Sequence, residues 1–219
     1  MNSIVVENYL RLKQELDNYG VDLIVVSKGQ STQLIRAIYN AGHRDFGENR
    51  VQELRKKKPE LPEDIRWHMI GHLQSNKVKY LLPWIYMIQS VDRQSLMQEL
   101  NKRSDKHNIS VDCLIEVHIA KEESKHGMTI EEVYQFFETE QYKNYPNLNF
   151  VGLMGMATYT NDTSIIRSEF RTLRRIFEDI KHDFPEFKHL SMGMSNDYKI
   201  AIEEGTTMVR IGSLIFSKQ

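Results

Sequence analysis

The sequence predicts a (β/α)8 barrel, and three observations carry that expectation. Apolar, strand-like runs alternate with helical patterns eight times along 219 residues, a length that suits one barrel with a sizeable core. The first strand, DLIVVS, is followed by SKGQS and not by the glycine-rich phosphate turn that opens a doubly wound sheet. Glycine–serine signals come late, in SMGMSND and MVRIGS, after the seventh and eighth strands, where barrels often hold phosphate.

The chain opens on a helix at about 3–19, with Val5, Tyr9, Leu12 and Leu16 at amphipathic spacing and a stop at Gly20. DLIVVS is then a buried strand, and Leu34, Ile35 and Ile38 give the following helix one apolar face. HRDFGEN with VQELRKKK makes the second unit, IRWHMIG with LQSNKVKYLL the third, and WIYMIQSV with the Leu96 and Leu100 helix the fourth. VDCLIEVHIA leads to a helix opened by a capping box of Thr129 and Glu132. LNFVGLMGMA precedes the longest helix, where Ile166, Phe170, Leu173, Phe177 and Ile180 recur at helical spacing. FKHLSMG precedes a short helix through Ala201 that stops at Gly205, and TTMVRIG is followed by a final short LIFS segment. One domain over residues 1–219 is the expected organisation.

Composition narrows the function classes. With 29 basic and 30 acidic residues the formal net charge is -1, so no global field draws in nucleic acid or a membrane surface. The RKKK run at Arg55 to Lys58 reads as a solvated helix end. The single cysteine, Cys113, excludes an intramolecular disulfide and fits a reducing compartment. No run reaches transmembrane length, and the amphipathic amino terminus is unlike a signal peptide.

Lys28 follows the first strand in the alternation Ile24, Val26, Lys28, which places its amine inward at the strand's carboxyl end if the first two fill the barrel. It is there either a surface anchor or a trap for a carbonyl group. Met208 and Arg210 likewise share a face of the last strand, and a buried guanidinium requires partners. Strand-end carboxylates, Glu48 and Glu116, are the expected ones. Ser195 stands at the start of a short helix, and Gly212 with Ser213 offers further amides and a hydroxyl, so the two segments can hold a phosphate. An imine-forming lysine facing a phosphate cradle points to pyridoxal phosphate. His68 and His72 in HMIGH have the spacing of a zinc pair, but Gly71 interrupts the pattern and no glutamate lies between them, so no metal site is expected. Met154, Met156, Met192 and Met194 are expected to pack the pocket walls.

LIVVSKGQ, FGENRVQEL, WHMIGHLQSNK, IEVHIAKEESKHGM, GLMGMA and LSMGMSNDYKIAI through GTTMVRIGSLIF, in that order, resemble the pyridoxal-phosphate homeostasis proteins, single-domain relatives of the barrel half of bacterial alanine racemase. The resemblance runs from the first strand to the last. It implies that Lys28 is the Schiff-base residue, that Asn49 lines the cofactor pocket, that Met194 and Ser195 with Gly212 and Ser213 hold the phosphate, and that Arg210 faces the pyridine nitrogen. A guanidinium there disfavours protonation of the ring and makes it a weaker electron sink. Family members commonly read VSKT and end in glycine after IF, whereas Gly29 and Ser217 stand here. These departures touch the shape of the lysine loop and the last helix.

The implied role is that of a non-catalytic protein that holds pyridoxal phosphate on Lys28 in vitamin B6 homeostasis, with no catalytic residues. Cytoplasmic location, a monomer or weak homodimer, apoenzymes as recipients of the cofactor, and no nucleic-acid or membrane partner complete the expectation. The alternatives are an amino-acid racemase, which needs acid–base groups on both faces of the substrate carbon and in relatives draws one from a second domain, and a sugar-phosphate barrel enzyme without the cofactor.

Overall fold

The computed structural model describes residues 2–121 and 126–217, so the EESK stretch of the IEVHIAKEESKHGM motif lies outside the described residues. Helix α1 (Asn2–Asp17) buries Val5, Tyr9, Leu12 and Leu16, the four positions its spacing singles out, and ends before Gly20, whose φ of +65° reverses the chain into the first strand. Strands β1 (Asp22–Val26), β2 (Asp45–Glu48), β3 (Arg66–Met69), β4 (Met87–Val91), β5 (Val111–Val117), β6 (Leu148–Gly155), β7 (His189–Ser191) and β8 (Met208–Ile211) pair in sequence order into a closed barrel. All pairs are parallel, and β8 closes on β1 with Ile24 opposite Arg210 and Val25 opposite Ile211. The expected barrel is therefore the observed one.

The connecting helices are α2 (Thr32–Asn40), α3 (Val51–Lys57), α4 (Gln94–His107), α5 (Ile130–Glu138), α6 (Thr163–Asp183), α7 (Tyr198–Glu203) and α8 (Ser213–Phe216). Thr129 Oγ1 accepts from the Glu132 amide while a Glu132 carboxylate oxygen accepts from the Thr129 amide, which is the capping box read in the sequence. In α6, Ile166, Phe170, Leu173, Phe177 and Ile180 all face the core. This outer layer, between the strands' outward faces and the helices, is the main apolar core.

The barrel interior is different in kind. Two small apolar clusters, Ile24 with Ile70 and Met208, and Met87 with Leu114 and Met154, leave room for buried polar side chains between them. Met192 lies in the outer core and not on a pocket wall, and Met194 is exposed.

Two local expectations are corrected. The segment after β3 forms a 3-10 turn over Ser75–Tyr80 and no α-helix. Its buried apolar residues, Val78 and Leu81, are three apart, which suits a three-residue repeat, and Pro83 prevents continuation. The RKKK run is not uniformly solvated either, because Lys57 turns inward and is 8% exposed.

Candidate functional site

The sequence-singled residues collect at the carboxyl ends of four consecutive strands, β7, β8, β1 and β2. Lys28 sits in the turn just past β1 and is exposed. Asn49 follows β2, Met194 and Ser195 follow β7, and Gly212 and Ser213 join β8 to α8. Two contacts draw these ends together. The Arg210 amide donates to the Gly193 carbonyl at 3.0 Å. Gly212 lies so close to β1 that a Cβ there would stand 2.9 Å from the Val26 carbonyl oxygen, so only glycine fits without a shift.

The Lys28 turn rests on a buried ionic base. The Ser27 hydroxyl donates to Glu48 Oε1 (2.7 Å), and Lys57 Nζ donates to the same carboxylate (2.6 Å), to Glu53 (3.0 Å) and to the Ser27 carbonyl (2.8 Å). Glu53 also accepts from the Gly29 amide at 2.8 Å, where φ is +72°. Burial raises the Glu48 carboxyl, against the pull of Lys57 and Ser27. The backbone on both sides of Lys28 is thus fixed while its amine has no hydrogen-bond partner among the described residues.

Arg210 is 4% exposed, and its partners are not the expected carboxylates. Its guanidinium donates to the Ser191 carbonyl (2.8 Å), the Ser191 hydroxyl (2.6 Å) and the Gly155 carbonyl (3.0 Å). Glu48 is taken by Lys57. Glu116 acts on Arg210 only through its field, with its own carboxyl pushed up to about 7 by burial and by Asp92 while Arg210 pulls it down. Burial lowers Arg210 to about 10, so it remains a cation at neutral pH.

Sequence reasoning missed Ser191 and Gln89, which continue this network. Ser191 Oγ donates to Gln89 Oε1 (2.7 Å), Gln89 Nε2 to His68 Nδ1 (3.1 Å), and His68 Nε2 to Asp45 (3.2 Å). His68 is therefore part of the barrel filling. A polar residue on each inward strand face was the available signal.

Asn49 Oδ1 is a buried acceptor with no donor among the described residues, and Glu48 Oε2 is another. Asn49 also edges a cavity of about 590 Å³ lined by Arg50, Lys56, His72 and Lys77, which contains none of the other predicted residues. Ser195 lies in the turn before α7 and not at its first residue; the Met194 amide is already bound to Asp197 Oδ1 at 2.6 Å. At α8, Ser213 and Leu214 occupy the first turn, whose amides have no acceptor within the helix. Chemically the strand ends present, among the described residues, one free primary amine, a fixed cation, an acceptor lacking a donor, and the first-turn amides of α8. That set fits a phosphorylated aldehyde with a hydrogen-bonding ring.

The chain matches the family model "Alanine racemase, N-terminal domain" over residues 3–219. It is 43% identical over 199 residues to the pyridoxal phosphate homeostasis protein of Aquifex aeolicus (strain VF5), covering 90% of this chain and 86% of that one. PipY of Synechococcus elongatus PCC7942, solved with PLP bound, superposes with a TM-score of 0.86 at 32% identity, over 97% of this chain and 100% of that one. The alanine racemase of Bartonella henselae, with a TM-score of 0.76 at 16% identity over 99% of this chain and 59% of that one, shares the fold.

Proposed function

We propose, for a chain that belongs to the pyridoxal phosphate homeostasis proteins within the alanine racemase N-terminal domain family, that it binds pyridoxal phosphate and serves to hold and release it. The observation that carries this reading is the exposed Lys28 amine on its rigid turn, beside the Arg210, Gly212 and Ser195 strand ends. Bound pyridoxal phosphate supplies an aldehyde that an amine holds reversibly and a pyridine ring that withdraws electrons from groups attached beside it.

Lys28 takes the aldehyde. Ser195, Gly212 and Ser213 receive the phosphate through amides and hydroxyls, with Met194, whose own amide is held by Asp197, beside them, and Asn49 lines the pocket. Arg210 faces the ring nitrogen with its orientation fixed by three oxygens, and it has no hydrogen-bonded carboxylate to hand the ring a proton. That arrangement supports a carrier more than an enzyme. The remaining parts of the proposal are a single barrel domain, a cytoplasmic setting, apoenzymes as recipients, and a monomer or weak homodimer. Among the described residues no helix is long and apolar enough to cross a membrane.

The test is the visible spectrum of the purified protein before and after borohydride, with peptide masses around Lys28. A band that borohydride bleaches, with the adduct on Lys28 and none in Lys28→Ala, is the expected result. No band after adding pyridoxal phosphate overturns the reading. Amino-acid turnover abolished by Lys28→Ala overturns its carrier half and makes the protein an enzyme.

A further inference from the structure

We propose that His72, Asp92 and His126 form a binding site for a divalent transition-metal ion of the zinc class at the mouth of the barrel, made of none of the residues assigned to the cofactor. The three come from different connections: His72 follows β3, Asp92 follows β4, and His126 follows β5. Their ligand atoms all lie within 4.8 Å of one another. Both histidines present Nδ1 to the same carboxylate oxygen, Asp92 Oδ2, at 2.9 and 3.8 Å, and their rings stack with centroids 3.9 Å apart. Two imidazoles and one carboxylate, with water able to reach the remaining positions, is a donor set that suits zinc and its neighbours.

Asp92 is held by a further side-chain partner, and the backbone that carries each histidine is anchored, which fixes where the ligands sit. The Asp92 side chain is 5% exposed, and its other oxygen accepts from Arg93. Arg93 also donates to the Leu73 carbonyl at 2.8 Å, while the Ser90 hydroxyl donates to the Gly71 carbonyl at 2.7 Å. The residues on either side of His72 are thereby tied to the β4 end. His126 is placed by the pairing of Met128 with Val117 at the end of β5, through the Met128 amide to the Glu116 carbonyl (2.8 Å) and the His118 amide to the Met128 carbonyl (2.9 Å). Gly127, at φ +127°, makes the turn between them, since a Cβ there would fall 2.6 Å from the His118 nitrogen.

Metal bonds of about 2.0–2.2 Å place tetrahedral ligand atoms roughly 3.3 Å apart. His72 and Asp92, hydrogen-bonded at 2.9 Å, have to open by only about 0.4 Å to reach that spacing. His126, with its side chain 55% exposed, has only to close on the same oxygen. The HMIGH pair of the sequence is thus not the site, because His68 points into the barrel network; His72 finds its partner 54 residues on, across two strand ends.

The experiment is a cobalt(II) titration of the full chain, stripped with chelator and free of pyridoxal phosphate, followed by ligand-field absorption and then by displacement with zinc(II). Expected is saturation at about one ion per chain, displaced by zinc, with affinity lower by roughly tenfold or more in His126→Ala and in Asp92→Asn. The exposed His182→Ala leaves binding unchanged. His126→Ala replaces an exposed side chain, and a circular-dichroism melt without metal verifies its fold, so a folding defect cannot imitate lost binding. Absent cobalt absorption in the wild type, or undiminished affinity in His126→Ala, overturns the proposal.

Discussion

Lys57 Nζ stands 2.6 Å from Glu48 Oε1, and the same ammonium reaches the Ser27 carbonyl at 2.8 Å, so one buried pair ties α3 to the carboxyl ends of β2 and β1. Removing the cation leaves Glu48, fully buried, without its charge partner, which in comparable pairs costs about 3–5 kcal/mol. Lys57→Met is therefore expected to lower the unfolding free energy read from a urea curve at neutral pH by that order. Glu48→Gln added to Lys57→Met restores much of the loss, because no buried charge is then left alone. Lys57→Met, Glu48→Gln and the double variant, read together in a double-mutant cycle, check the coupling. Loading of pyridoxal phosphate onto Lys28 slows in the single variant, since the turn under Lys28 loses its anchor.

Arg210 makes its three hydrogen bonds with two nitrogens of one planar group. A lysine keeps the charge but has a single nitrogen on a flexible stem, and it cannot bridge Ser191 and Gly155 as a fork does. Each lost charged hydrogen bond is worth about 1.5–3 kcal/mol. Arg210→Lys is expected to destabilise the fold by that order and to weaken pyridoxal phosphate binding by roughly tenfold or more. Equilibrium dialysis with the cofactor and a thermal melt measure the two effects, and unchanged affinity would remove Arg210 from the site.

Gly212 is the point at which β8 presses on β1. The added methyl of Gly212→Ala meets the Val26 carbonyl oxygen at 2.9 Å and Val26 Cβ at 3.2 Å, so one strand end must move. Overpacking of this kind costs about 1–3 kcal/mol. The displaced group belongs to the phosphate side of the proposed site, so cofactor affinity is expected to fall more than stability does. A titration followed by visible absorption beside a urea curve separates the two.

Much of this was legible in the sequence, and the reasons are local. The Val5, Tyr9, Leu12 and Leu16 spacing and the Thr129–Glu132 box specify short-range geometry that tertiary contacts did not override. Strand alternation also placed Arg210 inside the barrel. Its partners were another matter. Pairing a buried cation with carboxylates was a sound default, yet Ser191 and Gly155 supply neutral oxygens from β7 and β6, and which strand faces which across a barrel is set by closure, which no local pattern encodes. The same holds for Lys57, one basic residue in a run whose helical phase happens to point it at Glu48. The His72, Asp92 and His126 cluster was illegible for that reason too, since its members are far apart in sequence.

His43 gives the fold a measurable pH dependence. It is 5% exposed, its Nε2 donates to the Asp45 carbonyl at 2.8 Å, and the Tyr9 hydroxyl donates to Nδ1 at 3.4 Å, so the ring is held neutral with its proton on Nε2. Burial lowers its pKa from 6.5 to about 4, with the Asp45 carbonyl opposing. Between those values the unfolded chain binds a proton that the folded chain does not. Stability from this group is therefore fully present above about pH 6.5 and is lost as pH falls toward 4, a span worth about 3 kcal/mol. Glu116, raised by burial, works in the opposite sense over the range below 7, so the wild-type profile alone does not isolate His43. The difference between wild type and His43→Gln does, because Glu116 is common to both. Urea midpoints measured from pH 7 to pH 4 are expected to fall more steeply in the wild type than in His43→Gln. Parallel profiles would mean that His43 titrates normally in the folded protein and that its packing against Tyr9 and Phe46 leaves room for the charged form.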